Sequence, residues 1–351
     1  MSRIVVVCVA ATLVTLSLAQ FGPVVTPSPP TAKPTPAPPL PNVSAMMLGA
    51  IREMGQYDIN TMTVDIPAGV TPTNPTGPDG ITYPAAAIAY GQWVNETLIK
   101  ALIANASIGS LFNSPTATNK RKAPPVEWWR ALQTSLYEWA IAVEDPSPML
   151  FGLDSVHGVN YADGATLFPQ QIGVAATFDP EHAFNAGTVT SRESRYLGIP
   201  WAFSPILGIA VQPSWPRVYE TYGEDPTLAS RMGVGLITGM QQAPPASMFP
   251  DRCTGNATQC PKHAVAACMK HFVGYSDSRT GRDRTPAWIP DNFLLQYFVP
   301  SFAAAVAEAN VLSVMENYIE VNGRPVVTSE MYLKTLLRDA LSFQGVLVTD
   351  Y

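Results

Sequence analysis

The chain has 351 residues, a formal net charge of −6 and 47% hydrophobic residues. That is enough apolar material for one large domain with a substantial core. Mild acidity without a basic patch argues against a nucleic-acid partner. No apolar run reaches the roughly 20 residues that span a bilayer, so no membrane partner is expected.

Residues 1–19 have the pattern of a secretory signal. Arg3 supplies the positive start, residues 4–16 the apolar run, and Ser17-Leu18-Ala19 the small residues before a cleavage site. The expected location is therefore secreted, or extracellular. Sequons at Asn42, Asn95, Asn105 and Asn256 agree with it. Cys8 would leave with the leader. Cys253 and Cys260 flank a polar loop, and a disulfide is expected there. Cys268 sits in an apolar run and reads as a small buried hydrophobe. Three scattered cysteines make no metal site.

Residues 20–45 read as a disordered linker, since residues 21–41 alone carry nine of the 34 prolines. The folded domain is expected over residues 46–351. A helical pattern covers 91–108, with Leu98, Leu102 and Ile103 on one face, and a short strand follows at 108–112. A Trp- and Leu-rich helix is expected over 126–143. The strand at 149–153 then runs into Asp154, with His157 in the loop beyond. Asp179-Pro180-Glu181 is a helix start: a capping carboxylate, Pro at the first position and an acid in the first turn. That helix should end at Gly198. A strand at 201–205, a helix from Asp225-Pro226 and an apolar strand at 265–269 follow, the last ending in Lys270-His271. The helix over 292–309 should be kinked or split by Pro300. The strand at 311–315 leads to Glu316-Asn317-Tyr318. Thr328 or Ser329 caps a last helix with Leu333, Leu336, Leu337 and Leu341 in one stripe. Val346-Leu347-Val348 is a strand buried on both faces that delivers Asp350.

Strands alternating with helices imply parallel βαβ units. No Gly-rich phosphate loop follows the first strand, which argues against a dinucleotide fold. Polar residues at successive strand ends suggest an α/β fold of the (β/α)8 TIM-barrel type, here expected to stop after its seventh strand. Those strand ends supply Asp154, Lys270, His271, Tyr318 and Asp350, and the loop 215–226 adds Arg217 among aromatic rings. Carboxylates, cations and flat rings in one pocket suit a neutral polyhydroxylated ligand.

Five stretches then carry a resemblance: Gly152-Leu153-Asp154-Ser155-Val156-His157-Gly158; Arg217-Val218-Tyr219-Glu220-Thr221-Tyr222-Gly223-Glu224-Asp225-Pro226; Lys270-His271-Phe272-Val273-Gly274-Tyr275; Val314-Met315-Glu316-Asn317-Tyr318 leading to Val321-Asn322-Gly323; and Gly345-Val346-Leu347-Val348-Thr349-Asp350-Tyr351. In this order they resemble the N-terminal domain of glycoside hydrolase family 3, the β-glucosidase family. The resemblance implies that Asp350 is the nucleophile of a retaining exo-β-glycosidase, forming a glycosyl-enzyme. It further implies that Asp154, Arg217, Lys270 and His271 bind hydroxyls of the terminal sugar, and that Tyr318 orients or steadies the nucleophile.

The implied partner is a β-glucoside or β-glucan oligosaccharide, with no cofactor. His157 and Glu224 read as structural, Glu220 as a bridge to Arg217 outside the site, and an Asp154–His157 metal pair lacks further ligands. The acid/base stays unassigned: in most of the family it comes from a separate C-terminal domain. A subgroup acting on N-acetylhexosamines carries a His after the Lys-His pair, whereas residues 276–284 here contain none. The alternative function is a non-catalytic sugar-binding barrel that keeps the pocket without an acid/base.

Overall fold

The structure is a computed structural model that describes residues 5–8, 55–105, 108–114, 122–142, 149–241 and 264–351. Cys253, Cys260 and the sequons at Asn42 and Asn256 lie outside the described residues. A closed ring of strands forms the centre. In chain order these are β1 (Val5–Cys8), β2 (Gly55–Asp58), β3 (Ser110–Phe112), β4 (Leu150–Leu153), β5 (Trp201–Ala202), β6 (Ala266–Phe272), β7 (Ser313–Glu316) and β8 (Val346–Val348). From β2 to β8 each strand pairs in parallel with the next, as a TIM-like barrel requires.

The parallel strands stop at seven as expected, and the strand that closes the ring was not foreseen. The barrel was expected to stop after its seventh strand, with residues 1–19 a leader outside it. Seven parallel strands are present, and part of the leader-like run fills the remaining gap. β1 lies antiparallel between β8 and β2, pairing Val7 with Val348, Cys8 with Leu347, Val5 with Gln56 and Val6 with Gly55. The physical reason is that both neighbours present unpaired backbone edges, and an apolar β-branched segment satisfies them.

Most helices fall where their caps predict. The helix Pro180–Leu197 starts with Asp179 accepting from the Glu181 amide at 2.9 Å and ends at Gly198, whose φ is 88°. Two readings are corrected, both in the segment 91–108. The expected helix over 91–108 is the helix Glu96–Ala104, because Gln92–Val94 pairs as a strand with Thr63–Asp65 and Asn95 then caps the helix. Its buried face is set by Ile99 and Ile103, while Leu98 is 40% exposed. The helix over 292–309 is split at Pro300 as expected: the segment before it is wound as a π-helix, Leu294–Phe298, ahead of the helix Pro300–Ala307. Pro300 has no amide hydrogen, and the Val299 amide reaches back to the Leu294 carbonyl. The last helix, Glu330–Ala340, is capped by Ser329 and buries Tyr332 and Leu337 most deeply.

The barrel interior is a small apolar plug of Phe112, Trp201, Phe203, Cys268, Met315 and Val348. Gly152 is required there: a Cβ at that position would lie 2.1 Å from the Phe203 ring. The plug forms the floor on which the polar strand ends stand.

Candidate active site

The carboxyl ends of the parallel strands open into one cavity of about 350 Å³. Asp154, Arg217, Lys270, His271, Tyr318 and Asp350 all line it, so the structure brings together every residue singled out above. β4 delivers Asp154, the loop after β5 delivers Arg217, β7 leads to Tyr318, and Asp350 follows β8 by two residues.

β6 contributes two adjacent side chains to the same cavity. Consecutive residues of a regular strand face opposite ways. The β6–β7 register is irregular between Met269 and Phe272, and Lys270 and His271 lie within that irregularity. A bulge of this kind re-aims side chains, which lets both residues serve one pocket. The pair belongs to the strand itself, since β6 runs on to Phe272.

Two charged pairs organise the walls. The buried Lys270 ammonium donates to Asp154 Oδ1, and the Tyr351 hydroxyl donates to Asp154 Oδ2. Asp154 thus ties β6 to the residue that follows Asp350 across the mouth. Arg217 meets Glu220 through two bonds, Nε to Oε1 at 2.9 Å and Nη2 to Oε2 at 2.7 Å. Burial opposes the guanidinium charge, yet the Glu220 carboxylate outweighs it and holds Arg217 protonated.

Asp350 lies between these pairs. Its Oδ1 accepts from the Tyr351 amide at 2.9 Å, and its Oδ2 lies 3.5 Å from His271 Nε2. Burial pushes its pKa up to about 6, while Tyr318, Lys270, the Tyr351 amide and Arg217 pull in the opposite direction. The His271 imidazole is held neutral, its pKa driven well below the ordinary value by burial and then by Arg217 and Lys270. The Tyr318 hydroxyl donates to the Tyr351 carbonyl at 2.6 Å and accepts from Arg284 Nη2 at 3.0 Å.

Further residues join the site that the sequence reading left out of it. Glu220 lines the cavity rather than standing outside it, and so does Tyr351. Tyr351 was visible as the last residue of a motif, but its contact with Asp154 spans 197 positions. Within the 215–222 loop, Trp215 and Tyr222 are buried packing residues, whereas Tyr219 lines the cavity and is 49% exposed. Asp283 accepts from Trp215 Nε1 at 3.0 Å and from the Tyr275 hydroxyl at 2.6 Å, fastening the loop after β6 to the loop after β5. His157, read as structural, bonds the Phe168 carbonyl through Nδ1 at 3.0 Å and also lines the cavity.

The family model for the glycosyl hydrolase family 3 N-terminal domain matches residues 88–351. The chain is 40% identical over 310 residues to "Lysosomal beta glucosidase" of Dictyostelium discoideum, covering 86% of this chain and 33% of that protein. It is 37% identical over 202 residues to "Beta-xylosidase" of Formosa agariphila, covering 56% and 26%. Among solved structures, the exo-1,3/1,4-beta-glucanase of Pseudoalteromonas sp. superposes with a TM-score of 0.63 at 28% identity, over 72% of this chain and 30% of that one. The beta-glucosidase of Listeria innocua in complex with glucose gives 0.58 at 25% identity, over 73% and 32%. The chain spans a third or less of the length of these proteins. With a match over residues 88–351 and a barrel of the corresponding kind, this chain belongs to glycosyl hydrolase family 3 and carries its N-terminal domain.

Proposed function

We propose that the chain is the nucleophile-bearing domain of a secreted, retaining exo-β-glycosidase acting on terminal non-reducing β-D-glucosyl residues. The observation that carries this reading is the position of Asp350. It is a buried carboxylate at a barrel strand end, facing a cavity lined by Lys270, Arg217, His271 and Tyr318. At about 350 Å³, the cavity stands near the lower end of the roughly 300–1,000 Å³ of small-molecule sites, which suits one sugar ring rather than a chain. The glucoside preference draws support from the 40% identical relative named a beta glucosidase and from the Listeria innocua structure with glucose.

In the proposed reaction an Asp350 oxygen attacks the anomeric carbon as the glycosidic C–O bond breaks, and the leaving oxygen takes a proton from an acid. Water then attacks the same carbon, the Asp350 ester bond breaks, and the base takes up the water's proton. Lys270, Arg217 and Asp154 bind the sugar hydroxyls. Neutral His271 has a hydrogen-bonding nitrogen for the sugar and adds no charge that would quench the nucleophile. Asp154 and Glu220, the other carboxylates lining the cavity, are held by Lys270 with Tyr351 and by Arg217 respectively. By the resemblance to the family, the acid/base is expected to come from a C-terminal domain, a part that the matched relatives have beyond the third of their length this chain spans. Secretion rests on the leader-like residues 1–19 and the sequons.

The test is a 2-deoxy-2-fluoro-β-glucoside with a dinitrophenolate leaving group, which needs no proton to depart. Mass spectrometry should find the sugar on Asp350, and Asp350→Asn should abolish labelling. Label on Asp154 or Glu220, or none on a folded protein, would overturn the assignment. A sugar-binding barrel without chemistry would bind glucose and stay unlabelled.

A further inference from the structure

Glu316 closes β7 and lies behind Asp350 rather than in the cavity. Its side chain is only 2% exposed. Oε1 accepts from the Asp350 backbone amide at 3.2 Å, while Oε2 is buried with no hydrogen-bond partner. No cation pairs with it among the described residues: Lys270 is taken by Asp154, and the neutral His271 faces Asp350. Asp350 Oδ2 is likewise buried without a hydrogen-bond donor. Glu316 and Asp350 therefore lie side by side, and of the two only Asp350 faces the pocket with its cations.

A buried carboxylate without a counter-charge is costly, and one beside a second anion costs more. Glu316 avoids both penalties by keeping its proton. Burial is the larger influence and Asp350 adds to it, so Glu316 titrates at about 8, against about 6 for Asp350. The other titratable and charged groups at this end are Cys268, Lys270 and His271 on β6, Asp154, Arg217, Tyr275 and Arg284 from the loops, and Tyr318 and Tyr351 beyond the neighbouring strands. Burial keeps Cys268, Tyr318 and Tyr351 protonated, and the charge that acts on Glu316 is that of Asp350.

We propose that Glu316 is a positioning residue for the nucleophile: as a neutral carboxyl behind Asp350 it holds the Asp350 backbone amide and spares the nucleophile a second buried anion. Asp350 then stays ionised and in place through the neutral range. When Glu316 loses its proton, a second buried anion stands beside Asp350 and repels the nucleophile from its place. This inference rests on the reading of Asp350 as nucleophile.

The pH dependence of labelling by the dinitrophenyl 2-fluoro-glucoside tests it without any acid/base. Labelling should rise as Asp350 ionises and fall again as Glu316 ionises. Glu316→Gln keeps length, neutrality and the acceptor oxygen. It should leave the acid limb in place and remove the alkaline one. An acid limb that moves to lower pH in this variant would mean Glu316 was already an anion, and the proposal fails. An unchanged alkaline limb overturns it equally. Should Glu316→Gln fail to fold, Glu316→Met is read instead. It should also lose the alkaline limb, and it should label more slowly at every pH for want of the acceptor. A wild-type protein that is not labelled on Asp350 at any pH would instead overturn the nucleophile assignment above.

Discussion

At the scale of single residues, the cavity is held by charges that have few substitutes. Lys270 is buried and its ammonium is met by Asp154, which also accepts from Tyr351. Removing the carboxylate strands a buried cation, and breaking such a pair from one side costs about 3–5 kcal/mol. Asp154→Ala should therefore lower unfolding stability by that order, measured by denaturant melts. It should also weaken glucose binding by roughly 1–3 kcal/mol, since hydroxyl partners in the pocket go unmatched. Asp154→Asn keeps an acceptor for Lys270 and should recover part of the stability while binding stays weak. A fully stable Asp154→Ala protein would show that Lys270 finds another counter-charge, and the wall as described would be wrong.

At the scale of elements, the readable parts are those where one local rule decides the outcome. Asp179-Pro180-Glu181 and Gly198 fix both ends of the helix Pro180–Leu197, whatever it packs against. The Asp179 cap should contribute about 1 kcal/mol, so Asp179→Ala is expected to lower stability by that amount with glucose affinity unchanged. Thermal melts beside a binding titration check it, and a loss of affinity would tie this helix to the site more closely than its contacts indicate. The elements that escaped the sequence lack such a rule. β2 is Gly55-Gln56-Tyr57-Asp58, with no hydrophobic pattern, and its buried Gln56 donates to Ser110 Oγ on β3 at 2.9 Å. Leu98 was assigned to a buried face by helical period, but the strand Gln92–Val94 delays the helix start and turns that face outward. The site divides the same way. Asp154, Lys270 and Asp350 are visible as polar residues at or near the ends of apolar strands. Glu220, Tyr351 and Glu316 gain their places only from contacts made across the barrel mouth, which no local pattern records.

At the scale of the whole molecule, closure of the ring and chemistry in the cavity are linked through β8. Val346–Val348 carries Asp350, and its free edge is covered by β1, which also covers β2. Cleavage of a leader after Ala19 would remove β1, leaving two strand edges open beside the nucleophile. Open edges of this kind associate or fray unless another segment covers them. Among the described residues, the two other carboxyl groups that line the pocket, Asp154 and Glu220, are both engaged, and Glu316 stands out of the cavity. General acid catalysis ordinarily contributes about 10²–10⁴-fold, so the 351 residues alone should hydrolyse 4-nitrophenyl β-glucoside only at a trace rate. Azide should raise that rate by capturing the glycosyl-enzyme, since nitrophenolate leaves with little protonation and the azide anion attacks without a base. The same assay on a chain beginning at residue 20 separates closure from chemistry. Rescue by azide in both chains would mean that Asp350 is held without β1. Rescue only in the longer chain would make β1, or whatever replaces it, part of the nucleophile's support. Rapid hydrolysis by the 351 residues without azide would place an acid/base within this chain and refute the division of labour drawn above.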